Sequence, residues 1–151
     1  MTLLVTRVTT PEELAIAKAI RFEVFIDEQG FDGSIEVDEH DAAETTWHFI
    51  GKDVEEDKYV AVARVLLTPE LRKAKVGRVA VLKECRGKNY GAVLMKSVED
   101  AVADQVDTYM LSSQYERRGF YEKCGYKRMD DEIYLDEGVE HCMMIKKVVK
   151  N

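Results

Sequence analysis

The sequence predicts a mixed α/β fold built on one sheet, and three observations carry that prediction. Apolar, β-branched runs that read as strands outnumber the helical stretches. Strands alternate with helices through the second half. The chain has 151 residues, which suits one domain spanning 1–151. At that length roughly 68–70% of the unfolded surface can be buried, so a core forms without staples. No repeat or interdomain linker interrupts the pattern.

Leu3–Val8 (LLVTRV) is apolar and β-branched and reads as the first strand. Thr10 as N-cap, Pro11 at the first helical position and Glu12 and Glu13 in the first turn then open a helix. Leu14, Ala17, Ile20, Arg21, Val24 and Phe25 fall on one face, and the helix is expected to fray near Gln29-Gly30. Residues 31–45 are acidic and irregular. Trp47–Lys52 and Tyr59–Leu67 form a hairpin through the charged turn Val54–Lys58, and Thr68–Lys73 leads into a strand at Ala74–Leu82. A basic loop, Lys83–Gly91, precedes a helix from Tyr90 to about Val106, marked by Leu94, Val98, Ala101 and Val102. Thr108–Ser113 is a short strand, Glu116–Lys123 a short helix ended by Gly125, and Tyr134–Leu135 and Cys142–Val149 close the sheet. Phe120 and Tyr126 are expected in the core.

Composition narrows the function. The formal net charge of −7 opposes nucleic-acid binding, where Lys and Arg must neutralise phosphates, and favours a cationic partner. Cys85, Cys124 and Cys142 are odd in number and form no CxxC pair, so neither a zinc ribbon nor a disulfide framework is predicted. Met1–Val8 lacks the pattern of a signal peptide, and no apolar run reaches the ~18 residues of a membrane helix. A protein free of membranes, in a reducing cytoplasm, is expected.

Chemistry concentrates at Val79–Ala92, which joins a strand to a helix. A helix N-terminus offers unsatisfied N–H groups and partial positive charge, and glycines before it let those donors converge on a pyrophosphate. Arg86 and Lys88 add side-chain charge. A plain βα turn with a solvated basic loop is the bland alternative. No Gly-Lys-Ser/Thr follows, which excludes a Walker loop, and Gly-x-Gly-x-x-Gly is also missing. Arg86-Gly87-Lys88-Asn89-Tyr90-Gly91-Ala92 resembles the acetyl-CoA loop of the GNAT superfamily of N-acetyltransferases, Arg/Gln-x-x-Gly-x-Gly/Ala. Arg86 and Gly91 match it, while Asn89 replaces the middle glycine. Asn tolerates positive φ best after Gly and is a good N-cap, so the loop's shape survives.

Phe120-Tyr121-Glu122-Lys123-Cys124-Gly125-Tyr126 is similar to the FYEKLGF-like signature of the same superfamily, at the expected distance beyond the loop. Amine attack on a thioester creates an oxyanion and expels a thiolate. The resemblance implies backbone N–H groups of Val79, Ala80 and Val81 for the oxyanion and Tyr121 as general acid for the sulfur, with Gln114 holding the CoA arm. It also implies a single domain with a central, mostly antiparallel sheet flanked by helices, and acetyl-CoA as cosubstrate.

Three further segments resemble the ElaA-like branch: Ile20–Gln29 (IRFEVFIDEQ), Asp38–Asp41 with Trp47-His48, and Leu135–His141 (LDEGVEH). A carboxylate or imidazole must deprotonate the acceptor ammonium. Glu28, Asp38, Asp41, His48 and His141 are the candidates. The resemblance thus implies Tyr121, Glu28 and His141 as catalytic, Arg86, Gly87, Lys88, Asn89, Gly91, Ala92 and Gln114 with Val79–Val81 as cofactor-binding, and Arg21, Phe25, Asp38, Asp41 and His48 on the acceptor. No metal is expected, because Asp38, His40, Asp41 and His48 lack the short spacings of strong metal sites. The partner is a small-molecule amine. Homodimers are common in the superfamily, although no feature here specifies one. The competing class is a non-catalytic acyl-CoA-binding module, which Asn89 favours.

Overall fold

The computed structural model describes residues 2–30 and 39–148. Leu3–Arg7 (β1) pairs antiparallel with Thr46–Asp53 (β2), which forms a hairpin with Lys58–Thr68 (β3). A short turn through Pro69 and a left-handed Arg72 (φ 50°) leads to Lys73–Val81 (β4), antiparallel to β3. Thr108–Gln114 (β5) joins β4 in parallel and pairs along its length with Val139–Lys147 (β8). Lys127–Arg128 (β6) and Tyr134–Asp136 (β7) pair with β8, giving the order β1-β2-β3-β4-β5-β8-β6. This is the expected mixed, mostly antiparallel sheet.

Three helices flank it: Pro11–Arg21 (α1), Tyr90–Val102 (α2) and Arg118–Lys123 (α3). α1 starts at a capping box, with Thr10 Oγ1 accepting from Glu13 N at 3.1 Å and Glu13 Oε1 accepting from Thr10 N at 3.2 Å. Residues Val60–Ala63 of β3 are all at most 1% exposed, as expected of a strand covered on both faces. α1 packs against β2, β3 and β4, and α2 against β1, β3 and β4.

Three departures from the expected elements stand out. The first helix does not run on as α: Phe22–Glu28 is a π-helix, its end marked by Gln29 N donating to Val24 O at 3.1 Å. The wider turn rotates Val24 into the core and Gln29 toward the site described below. α2 ends at Val102, four residues early, and Val106 is buried from the following turn instead. Phe120 is not a core residue. Its ring is 37% exposed, whereas Tyr126 is buried and donates its hydroxyl to Glu99 Oε2 at 2.9 Å.

Candidate active site

β4 and β5 pair only from Lys73↔Thr108 to Val76↔Leu111 and then part. On its other edge β4 stays paired with β3 to Val81, but with a bulge in which Ala63 faces both Arg78 and Val79. Arg78 takes φ 51° there, and bulges of this kind re-aim backbone groups. Between the parted strands lies a cavity of about 600 Å³. Val79–Val81 form one wall, Cys85–Gly87 and Asn89–Ala92 the floor, and Glu116, Arg117 and Gly119–Tyr121 the facing wall, with Val24 and Gln29 at the side. The two motifs, 30 or so residues apart, are thereby brought to one space.

The loop reaches its shape through Gly87 at φ 88° and Asn89 at φ 65°, ψ 17°. Asn89 occupies the N-cap position of α2, but its side chain makes no capping bond, so the first-turn donors are left to whatever enters. Gly91 has a steric reason: a Cβ there would lie 2.9 Å from Phe120 Cζ.

The loop's two cations are already paired. Arg86 donates to Glu28 through Nη1 at 2.6 Å and Nη2 at 2.7 Å, and through Nε to Val81 O at 2.9 Å. The Arg86 hydrogen bonds hold the Glu28 carboxyl below its usual range, and Arg86 is raised in return. Lys88 Nζ lies 3.7 Å from Asp53, a buried carboxylate that also accepts from Tyr90 Oη at 2.6 Å. That hydroxyl holds Asp53 low, and the Tyr90 phenol is pushed up to about 12. Both cations are thus engaged with carboxylates, and the loop's other anion donors are backbone N–H groups.

Tyr121 is half-buried, edge-on to Phe120 with centroids 5.0 Å apart and to Tyr126 at 6.2 Å. Burial pushes its phenol up to about 12. Its hydroxyl makes no hydrogen bond among the described residues. Cys85, on the floor, is raised by burial and so is no activated nucleophile.

The remaining candidate residues fall into two groups. Arg21, at 0% exposure, donates to both Asp41 oxygens at 2.8 and 3.2 Å, Arg64 donates to Asp41 Oδ1 at 3.2 Å, and His48 Nε2 meets Asp41 O at 3.0 Å. Asp41 O can only accept, so Nε2 carries the proton, and burial lowers the His48 pKa. Arg21, Asp41 and His48, expected at the acceptor, thus meet in a buried cluster under β2 and β3. Phe25 packs against the core. Among the described residues none of these four lines the cavity; Asp38 lies outside the described residues. The second group sits at the open end of β5. His141 pairs with Gln114 across the strands, its Nδ1–H donates to Val139 O at 2.8 Å, and its ring stacks on Tyr134 at 6.1 Å. Gln114 Nε2 donates to Gln29 Oε1 at 3.0 Å, so Gln114 stands just behind the wall. Ser112 and Tyr134 share a hydrogen bond beside it.

Sequence reasoning missed Arg117 on the facing wall, although its spacing four residues before Tyr121 marks the same helical face. No group of three metal-ligating side chains occurs among the described residues, and no helix there is long and apolar enough to cross a membrane.

The cavity beyond the parted strands has a volume that suits a cofactor-sized ligand, and the residues at the start of α2 that line it include Gly91 and Ala92, with Gly87 before them. Solved structures share this fold. The fold matches Escherichia coli ElaA with a TM-score of 0.83 at 25% identity, covering 97% of this chain and 100% of that one. It matches an acyl-CoA N-acyltransferase from Pseudomonas aeruginosa with a TM-score of 0.82 at 25% identity, over 96% and 99% of the two chains. Among sequences, the uncharacterized N-acetyltransferase YjcF of Bacillus subtilis is 32% identical over 136 residues, 89% of this chain and 93% of its own. A second Bacillus subtilis protein named as an acetyltransferase is 33% identical over 144 residues, 95% of each. These relationships define an acyl-CoA-dependent N-acetyltransferase. The chain belongs to the acetyltransferase (GNAT) domain family, whose model matches residues 12–148.

Proposed function

We propose that the chain transfers an acetyl group from acetyl-CoA to the primary amine of a small molecule, by direct attack in a ternary complex. The observation that supports this reading is the parting of β4 and β5, beyond which the bulged segment Val79–Val81 and the Tyr121 side chain line one cavity. The acceptor nitrogen, as free amine, forms the C–N bond while the carbonyl electrons move onto oxygen, where N–H groups of Val79–Val81 stabilise them. The oxyanion then re-forms the carbonyl as the C–S bond breaks; the sulfur departs with that electron pair and takes the Tyr121 proton, while the nitrogen, cationic after attack, gives up its second proton, which restores the phenol.

A phenol near 12 is a poor donor to a thiolate whose own thiol titrates at about 8.5. Tyr121 therefore acts by hydrogen-bonding to the sulfur as charge grows there, transferring its proton only as the bond breaks. The ammonium proton goes to His141. With Nδ1–H committed to Val139 O, the neutral imidazole has its lone pair on Nε2. Glu28 has both carboxylate oxygens engaged by Arg86.

The test is thiol release from acetyl-CoA with a panel of small amines. Tyr121→Phe should lower turnover at least tenfold, the lower end for general acid–base groups, with acetyl-CoA affinity near wild type. Acetyl-CoA binding with no thiol release from any amine would favour the non-catalytic module.

A further inference from the structure

We propose that Arg117 is the side chain that grips a phosphate of the acyl-CoA donor, the task that the loop motif assigns to Arg86 and Lys88. The inference rests on reading the cavity as an acyl-CoA site, and three observations lead to it.

First, the motif's own cations are spent. Arg86 is held by two bonds to Glu28 and one to Val81 O, and Lys88 lies against Asp53, itself at 1% exposure. An anion at the α2 N-terminus would have to displace a carboxylate to recruit either one. Second, Arg117 lines the cavity from the facing wall, and among the described residues its side chain makes no ion pair or hydrogen bond. Its neighbour is different: Arg118 folds back over the Tyr115 ring at 3.8 Å and donates to Tyr115 O at 2.7 Å. Of two consecutive arginines, one is consumed by packing and the other faces the cavity. Third, Arg117 and the first residues of α2 line the same cavity, so an anion held there has both a guanidinium and helix N–H groups to meet. Glu116 shares that wall, and no ion pair joins it to Arg117 among the described residues.

The experiment is isothermal titration of the full chain with CoA, 3′-dephospho-CoA and pantetheine, for wild type, Arg117→Ala, Arg117→Lys and Lys96→Ala. Lys96 is a surface cation on α2, 79% exposed and paired to Asp100, and controls for net charge. Arg117→Ala should bind CoA at least tenfold more weakly, in keeping with a lost charge-assisted bond, and Arg117→Lys should recover part of this. Pantetheine should bind all four proteins alike. If the loss persists with 3′-dephospho-CoA the pyrophosphate is gripped; if it vanishes there, the 3′-phosphate is. CoA binding by Arg117→Ala equal to wild type would overturn the proposal, as would an effect confined to the KM of a carboxylate-bearing acceptor. Failure of the wild type to bind CoA would instead remove the acyl-CoA reading beneath it. Unchanged melting of Arg117→Ala would set folding aside as a cause.

Discussion

Glu28 and Arg86 are joined by two charge-assisted hydrogen bonds of 2.6 and 2.7 Å across 58 positions of sequence. The π-helix is thereby fastened to the loop before α2, and Arg86 Nε extends the tie to the end of β4. Both side chains are partly exposed, 26% and 34%, so solvent screens the pair and its contribution to stability is modest. Its effect on binding is larger. Arg86 masks a carboxylate that would otherwise repel the donor's phosphates. Arg86→Ala should therefore weaken CoA binding about tenfold. Glu28→Gln/Arg86→Ala, lacking both charges, should return close to wild type. A double variant as weak as Arg86→Ala would mean that Arg86 touches phosphate directly.

Gly91 is set by Phe120 rather than by a left-handed backbone. A methyl group there would sit 2.9 Å from Cζ and 3.0 Å from Cε1 of the ring. Alanine gains up to about 1 kcal/mol of helix propensity, and a ring that is 37% exposed can swing away at small cost. Those terms nearly cancel, so Gly91→Ala should melt within a few degrees of wild type. The displaced ring lines the cavity, however, and CoA affinity should fall severalfold. Gly91→Ala/Phe120→Ala should regain part of that loss, because the obstructing ring is gone. Affinity unchanged in the single variant would show that Phe120 turns outward.

Those two relationships mark where the sequence is legible and where it is not. Strands β2 to β5, the Thr10 cap and the α2 start are written in local patterns, and the structure places each within a few residues of the expected bounds. The π-helix is not, because Val24 and Phe25 keep helical apolar spacing whether the ladder is α or π. Phe120 sits on a six-residue helix, too short for a period to declare which face is buried. Arg86 and Lys88 read correctly as loop cations. Their partners Glu28 and Asp53 come from elements 58 and 35 residues away, and no local pattern announces such a pairing. The same holds for Arg21, Asp41 and His48, whose mutual burial follows from how α1 crosses β2 and β3.

That buried cluster predicts a pH dependence of stability. Among the described residues His48 Nδ1 is buried without a hydrogen-bond partner, and its protonation would add a charge beside Arg21 and Arg64. Burial lowers the folded-state pKa below the ordinary 6.5, so the unfolded chain binds more protons as pH falls. The stability due to neutral His48 is thus complete above about 6.5 and is lost as pH drops toward the folded value. Urea midpoints should fall between pH 6.5 and 5 in the wild type. His48→Gln, which does not titrate, should flatten that slope even if it lowers stability throughout. An identical slope in the variant would assign the effect to carboxylates.

His141 offers the sharpest division between a chemical and a structural role. Its Nδ1–H bond to Val139 O shapes the start of β8, whereas Nε2 is the atom proposed to accept a proton. Asn can place its amide nitrogen near the Nδ1 position and keep the bond to Val139 O, yet it supplies no base. Gln reaches nearer Nε2, gives up that bond and is equally unable to take a proton. If His141 is the base, His141→Asn and His141→Gln should both lose about a hundredfold or more in turnover, the usual scale for a positioned base. His141→Asn alone should then melt like wild type. If the ring matters only as a strap on β8, His141→Asn should keep most of its turnover and His141→Gln should lose turnover and stability together. Raising pH separates the cases further, since an acceptor amine that arrives already deprotonated needs no base. The deficit of His141→Asn should shrink as pH approaches the acceptor's own pKa, and a deficit constant across that range would remove His141 from proton transfer.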